Sequence, residues 1–298
     1  MSTAEVEVTN IVDRGDVILV VGSGEDIVKL KVNSMFLRAA SKTFEALLGP
    51  NYAEGQALSY DNPPELPLPE DDPSAMTTVC YCLHFKQHLV PENPDANQIL
   101  EVAKAIDKYA LQEALAVLVQ AWLTLPTAST QFHDLGNTLR AALIIGNKTT
   151  VRKLTRSLIL FGGENYTSLL NKDDSESFVN IVNKLEHERF QLRLSLVQTL
   201  YEAVTVSHFS SEPCRYRKEY SFMLQQNLSR QKLEPDGIFH DSVAACVVKL
   251  DQIPNPHHGS YHCNETYCSY GASDIYHSTE RAAGDVRCYE GLDLPPAA

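Results

Sequence analysis

The run Val17-Ile18-Leu19-Val20-Val21, a glycine-punctuated turn, and then Val28-Lys29-Leu30-Lys31-Val32 constrain the fold more than any other stretch. Five consecutive apolar, mostly β-branched residues predict a buried strand. Strict alternation of apolar residues with lysine predicts a second strand with one face covered and one wet. Gly22-Ser23-Gly24-Glu25-Asp26 supplies the turn between them, so the pair reads as a β-hairpin.

Helical signals follow at once. Asn33 is placed to cap a short helix carrying Met35, Phe36 and Leu37, and Ser41 to cap another with Phe44, Leu47 and Leu48. Gly49-Pro50 stops that helix, and residues 51–64 read as a polar, turn-rich loop. Glu65-Leu66-Pro67-Leu68 predicts a short strand, and its proline places that strand at a sheet edge or an irregular end. Asp72-Pro73 is a cap followed by proline at the first helical position, ahead of Met76, Val79, Cys80 and Leu83 at helical spacing. Asp95 and Gln98 resemble a capping box before Ile99, Val102, Ala103 and Ile106. Leu111 to Leu123 completes the series strand, strand, helix, helix, strand, helix, helix, helix.

Beyond about Thr124 the pattern is all-helical. Leu135–Ile145 and Val151–Phe161 are apolar-periodic, Asp173-Asp174-Ser175 opens a further helical segment, and Glu186–His208 is the longest helix candidate. In it Phe190, Leu194, Val197, Tyr201 and Val204 form a heptad-like stripe, with Leu192, Leu196 and Leu200 beside it. Two heptads fall short of the three or four a coiled coil sustains, so the stripe reads as the buried face of a bundle helix. Tyr216–Leu233 and a segment capped by Asp241-Ser242 read as helices, and the loop-like end from Pro254 finishes in a disordered Pro295–Ala298. The fold class expected is therefore α+β, short strands with a cluster of helices, followed by an all-α region. The division expected is residues 1–125, a helical region 126–210, and 211–298 with helices and a Cys/His-containing tail.

Charge and composition narrow the function. The formal net charge is −13, which disfavours bulk binding to a phosphate backbone, and the basic stretches at Arg152-Lys153 and Arg215–Lys218 are short. The first residues hold no long apolar run, so neither a secretion signal nor a membrane span is expected and the chain reads as intracellular, in cytoplasm or nucleus. The sequons at Asn147, Asn165, Asn227 and Asn264 then read as chance matches. Seven cysteines, an odd number, read by default as reduced thiols.

Three constellations carry candidate chemistry. Gly22 and Gly24 have the look of a phosphate cradle, the alternative reading being a nucleotide-binding enzyme. That fingerprint wants a third glycine where Ile27 stands, and a helix next, where the Lys29/Lys31 alternation predicts a strand. In the tail, His258, His262, Cys263 and Cys268 are the residue types zinc takes in a tetrahedron, and a loop-rich segment gains stability from such a staple. The spacing of Cys263 and Cys268 is permitted for zinc without being diagnostic; packed or exposed side chains, or a disulfide under oxidation, are the other readings. Neither a Gly-x-Ser-x-Gly elbow nor a recognisable nucleophilic cysteine occurs, so no enzymatic activity is expected, and no cofactor beyond one structural zinc.

The third constellation is a series of local motifs. They are Asp16-Val17-Ile18-Leu19-Val20-Val21, Ser41 to Phe44 as Ser-x-x-Phe, Tyr52-Ala53-Glu54 as aromatic-x-Glu, Glu65 to Pro73, and Asp107-Lys108-Tyr109. Spread over residues 16–123, they resemble the BTB/POZ domain, and in style its fungal members that continue into a helical region. Asn33 stands where many relatives have histidine, Ile106 where alanine is frequent, and Cys82-Leu83-His84-Phe85 replaces the usual Tyr-Leu-Tyr-Thr-Gly. The resemblance implies a protein-binding module. In some members the aromatic-x-Glu loop helps dock a cullin scaffold, which makes the protein a substrate adaptor for ubiquitin ligation. By that resemblance Tyr52 and Glu54 are the partner-binding candidates; the other reading packs Tyr52 on its own domain and leaves Glu54 solvated. The N-terminal extension that exchanges between subunits in some dimeric members is short here, which leaves a homodimer or self-associating scaffold open. A zinc-stabilised regulatory protein without a ligase role is the remaining alternative.

Overall fold

The computed structural model describes residues 6–124, 131–172, 174–209, 215–253, 280–281 and 283–292. The chain divides into two compact units, residues 1–151 and 152–298. The first holds a four-stranded mixed sheet with helices and the second is helical, so the architecture is α+β followed by a largely helical region.

The sheet of the first unit has the order β1-β3-β2-β4. Strands β2 (Val17–Val21) and β3 (Val28–Val32) pair antiparallel as the expected hairpin, with Leu19 opposite Leu30 and Val17 opposite Val32. Strand β4 (Glu65–Leu68) runs parallel to β2 at the edge, where the missing N–H of exposed Pro67 interrupts no further ladder. Strand β1 (Val8–Asn10) pairs parallel with β3 and closes the other edge; three residues of ordinary composition gave no sign of it. Val17, Leu19, Val21, Leu30, Val32, Leu66 and Leu68 all point into the core, while Lys29 reaches across the wet face to Glu65, Nζ to Oε1 2.6 Å.

The helices start where their caps place them. Asn33 accepts from the Met35 N–H to open α1 (Ser34–Ala40), and Ser41 accepts from the Phe44 N–H to open α2 (Lys42–Leu47). The loop 51–64 contains one unexpected helical turn, α3 (Ala53–Gln56). Asp72 caps α4 (Pro73–Leu83), accepting from the Ala75 N–H at 2.7 Å. The reciprocal capping box of α5 (Ala96–Lys108) is formed, Asp95 Oδ1 accepting from Gln98 N–H at 2.8 Å and Gln98 Oε1 from Asp95 N–H at 3.0 Å. Helices α6 (Gln112–Thr124) and α7 (Phe132–Ile145) follow, and α5 lies against both α4 and α7.

The second unit is organised on one long helix. Helix α8 (Lys148–Phe161) ends at Gly162, and a 3-10 turn at Tyr166–Leu169 buries Tyr166, whose hydroxyl donates to the Leu158 carbonyl at 2.7 Å. The two helical segments read between residues 173 and 208 are a single helix, α9 (Glu176–Phe209). Its buried face runs Leu185, Arg189, Arg193, Leu196, Leu200 and Ala203. This corrects the expected stripe: Phe190 and Tyr201 are exposed, and Leu194, Val197 and Val204 only half-buried. Two arginines whose aliphatic stems and guanidinium planes pack inward displaced the aromatic residues from the core side. Helices α10 (Arg215–Arg230), α11 (Pro235–His240) and α12 (Val243–Asp251) complete the unit, α11 being one the sequence pattern did not reveal. Among the described residues no helix is long and apolar enough to cross a membrane.

Candidate functional site

The best-built exposed feature of the first unit is the turn between α2 and β4. Phe44 and Leu48, both fully buried, hold the end of α2 down on the core, and Phe44 stacks on Tyr109 at 4.4 Å between ring centroids with planes 6° apart. Ser41 Oγ donates to the Tyr109 carbonyl while accepting from the Phe44 N–H, so α2 is tied to the end of α5. From that platform the chain turns at Gly49-Pro50 into α3. Gly55 passes so close to Gly49 that a Cβ there would lie 1.9 Å from the Gly49 carbonyl oxygen. Gln56 Nε2 donates to the Pro50 carbonyl at 3.0 Å, and Ser59 N–H to the Asp16 carbonyl at 3.2 Å.

The turn so fixed displays the two residues singled out from the sequence. Tyr52 is 54% exposed at the start of α3, and Glu54, two residues on, is exposed as well. Among the described residues neither side chain has a hydrogen-bond or ion-pair partner. An aromatic ring on a backbone locked by a glycine close approach presents contact area with little left to order on binding.

Other residues singled out in the sequence meet behind this turn. Asp71 accepts from the Tyr109 hydroxyl at 2.6 Å and from Lys108 Nζ at 2.8 Å, joining the strand-to-helix junction to the Asp-Lys-Tyr segment. Burial, and then this carboxylate, hold the Tyr109 phenol far above its usual pKa. Asp16 receives both the N–H and the hydroxyl of Ser34 at 2.7 Å, which seats α1 on β2. These are structural contacts, and they join residues far apart in the sequence.

A second exposed feature went unread in the sequence. Met35 is 63% and Phe85 70% exposed, and Phe36 meets His84 and Phe85 edge-on at 5.2 and 5.6 Å. Of the three apolar residues assigned to α1 only Leu37 is fully buried. Phe85 sits at φ +60°, a left-handed conformation that bulky residues avoid. The signal was the departure at Phe85 itself, a large apolar residue at a helix end where a turn residue is the cheaper choice.

The remaining candidates separate from any common site. Gly22 and Gly24 adopt φ +87° and +71°, but the turn leads into strand β3 rather than into a helix, which is not the strand-turn-helix order that the dinucleotide fingerprint requires. Cys80 is buried and its thiol is pushed up to about 12 by desolvation; the Cys82 thiol rises to about 11 for the same reason, so both behave as small apolar side chains. His258, His262, Cys263 and Cys268 lie outside the described residues. Among the described residues no group of three or more His, Cys, Asp or Glu side chains is arranged to hold a metal. Neither a scan against models of protein families nor searches of curated proteins and of solved structures find a match to this chain.

Proposed function

We propose that this chain is a protein-interaction module whose first unit is a BTB/POZ-type domain, and that the turn carrying Tyr52 and Glu54 docks a cullin-type scaffold. The observation that carries the reading is the half-exposed Tyr52 ring on a turn locked by the Gly49–Gly55 approach. Interface anchors are typically aromatic, and a rim carboxylate such as Glu54 adds orientation by pairing with a basic residue. The order strand, strand, helix, helix, strand, helix, helix, helix over residues 17–124, with extra helical turns at α3 and, as a 3-10 turn, at Gln87–Leu89, supports the same reading. The mechanism is recruitment: holding a scaffold on one surface and a second protein on another raises their effective concentration.

The test is affinity purification of the intact chain beside a Tyr52→Ala, Glu54→Ala variant. A cullin recovered with the intact chain and lost from the variant is the expected result. Absence of any cullin from the intact chain sinks the adaptor role.

A second reading, self-association of the first unit, is favoured by the exposed Met35 and Phe85 around Phe36. Apolar side chains touching one another at a surface mark contact sites more often than isolated ones do.

A further inference from the structure

The stripe on α9 is real but faces outward. Phe190, Leu194, Val197, Tyr201 and Val204 recur at alternating spacings of four and three residues, and at 1.5 Å per residue they extend about 21 Å along one side of the helix. Phe190 is 48% and Tyr201 67% exposed. At one end Phe190 meets Phe239 of α11, itself 38% exposed, at 5.7 Å between ring centroids. At the other end lies a half-open groove of about 390 Å³, lined by Val197, Tyr201 and Val204 of α9 with Leu228, Leu233 and Ile238, and edged by the polar Gln225 and the charged Glu234.

We propose that this seam pairs with a second copy of itself, two α9 helices lying antiparallel across a two-fold axis near Val197. Three observations choose that occupant. First, the seam is narrow, with apolar residues at the two positions per heptad that one facing helix covers. Second, its outer flank is uncharged: Gln191, Gln198 and Thr205 border it, with Glu188 and Glu202 turned further round the helix. Two copies of a chain of net charge −13 repel, and a contact that brings few like charges together, Glu234 at the groove among them, is where they meet at least cost. A strongly charged partner would find nothing along that flank to pair with. Third, the surface is self-complementary. An antiparallel two-fold at Val197 sets the Phe190 of each copy opposite the Val204 end of the other, a large ring against a groove. The exposed aromatic rings offer on the order of 300 Å² per copy, below the roughly 800 Å² per partner of a standard interface, so a weak dimer is expected.

The experiment is sedimentation velocity of the full chain from about 1 to 100 μM, the range in which a micromolar dimer assembles. It compares wild type with a Phe190→Asp, Tyr201→Asp variant. Both side chains are exposed, and unchanged circular dichroism and melting establish that the variant folds. The expected result is an association step in the wild type that the variant weakens at least about tenfold, the loss typical of truncating an interface anchor. Running the pair again in a Phe85→Asn background separates this seam from self-association of the first unit, because the α9 effect persists there. As a second readout, Val197→Cys crosslinks between copies with a short thiol-reactive reagent above the wild-type background, and Lys184→Cys, off the seam, does not. The proposal is overturned if wild type stays monomeric across the range, or if the α9 substitutions leave its association unchanged in either background. It is equally overturned if a monomeric wild type takes up an apolar dye that Tyr201→Asp excludes, which would make the groove a small-molecule site.

Discussion

The imidazole of His84 accepts the backbone N–H of Asn33 on Nε2 at 3.0 Å and so ties the end of α4 to the start of α1. Its Nδ1 lies 2.8 Å from the Cys80 carbonyl, which assigns the proton to Nδ1 and makes the ring neutral. Burial lowers its pKa below 6.5, opposed by hydrogen bonding to Cys80 and Asn33 and by the Asp16 carboxylate. A charged ring has no lone pair for the Asn33 N–H. The sign follows: with the folded pKa below the unfolded value, this contribution is intact above pH 6.5 and is lost as pH falls from there toward the folded value. Melting temperatures from pH 7.5 to 5 should therefore fall more steeply for wild type than for His84→Gln, which keeps an acceptor and cannot titrate. Parallel curves would show that His84 does not titrate into the folded state's loss.

Asp71 links β4 to the end of α5 through Tyr109 and Lys108. The buried phenol dominates, because Lys108 is 45% exposed and its pairing is screened by solvent. Asp71→Ala leaves the Tyr109 hydroxyl buried without an acceptor and should cost about 1–3 kcal/mol in chemical denaturation. Asp71→Asn keeps one acceptor and should cost less. Equal losses for the two would mean that the negative charge, rather than the hydrogen bond, holds the junction.

Tyr52 and Gly55 should separate binding from folding. Tyr52→Ala removes an exposed ring, so its melting curve should stay within about 0.5 kcal/mol of wild type. Gly55→Ala drives a methyl into the Gly49 carbonyl and must open the turn, a loss of about 1–3 kcal/mol comparable to overpacking. Gly163→Ala, with open space around it, should show no such clash. If partner capture depends on the shape of the turn, Gly55→Ala loses it even though Tyr52 and Glu54 remain.

The two buried arginines of α9 are not equivalent. Arg189 lies over the Tyr166 ring at 4.0 Å, donates to the Glu164 carbonyl at 2.8 Å and pairs with Glu186 at 2.7 Å. Arg193 donates to the Asp241 carbonyl and, among the described residues, has no carboxylate paired with it; the Nε of either arginine lacks a partner among those residues, but at Arg193 desolvation followed by the Arg189 charge also lowers the pKa. Replacing a poorly compensated buried charge by an apolar side chain is often neutral or favourable. Arg193→Met should thus be neutral or stabilising, while Arg189→Met should cost about 2–4 kcal/mol by stripping partners from buried carbonyls and from Tyr166. Urea denaturation of the two variants checks the order, and a reversed ranking refutes it.

Much of the first unit was legible because its signals are local. The Lys29/Lys31 alternation, the Asp72-Pro73 start and the Asp95/Gln98 box each act over a few residues, and β2, β3, α4 and α5 formed where those residues place them. Strand β1 was not legible, since Val8-Thr9-Asn10 is too short a run to stand out by itself and is held by pairing with β3. Tyr52 and Glu54 were legible as residue types in a turn; that the turn is rigid became visible only when Gly55 was seen against Gly49.

The sequence by itself determined the caps, the turns and the two periodicities, and with them an α+β start and a helical continuation. Only the tertiary structure decided which face of α9 is buried. Two apolar-rich stripes lie side by side on that helix, and hydrophobicity favours the one with Phe190 and Tyr201. The core instead received Leu196, Leu200 and Ala203 together with Arg189 and Arg193, because Tyr166 and the carbonyls of Glu164 and Asp241 offer those guanidiniums the partners that burial requires. A residue's burial depends on what the rest of the chain brings to meet it, and that is information no single helix contains.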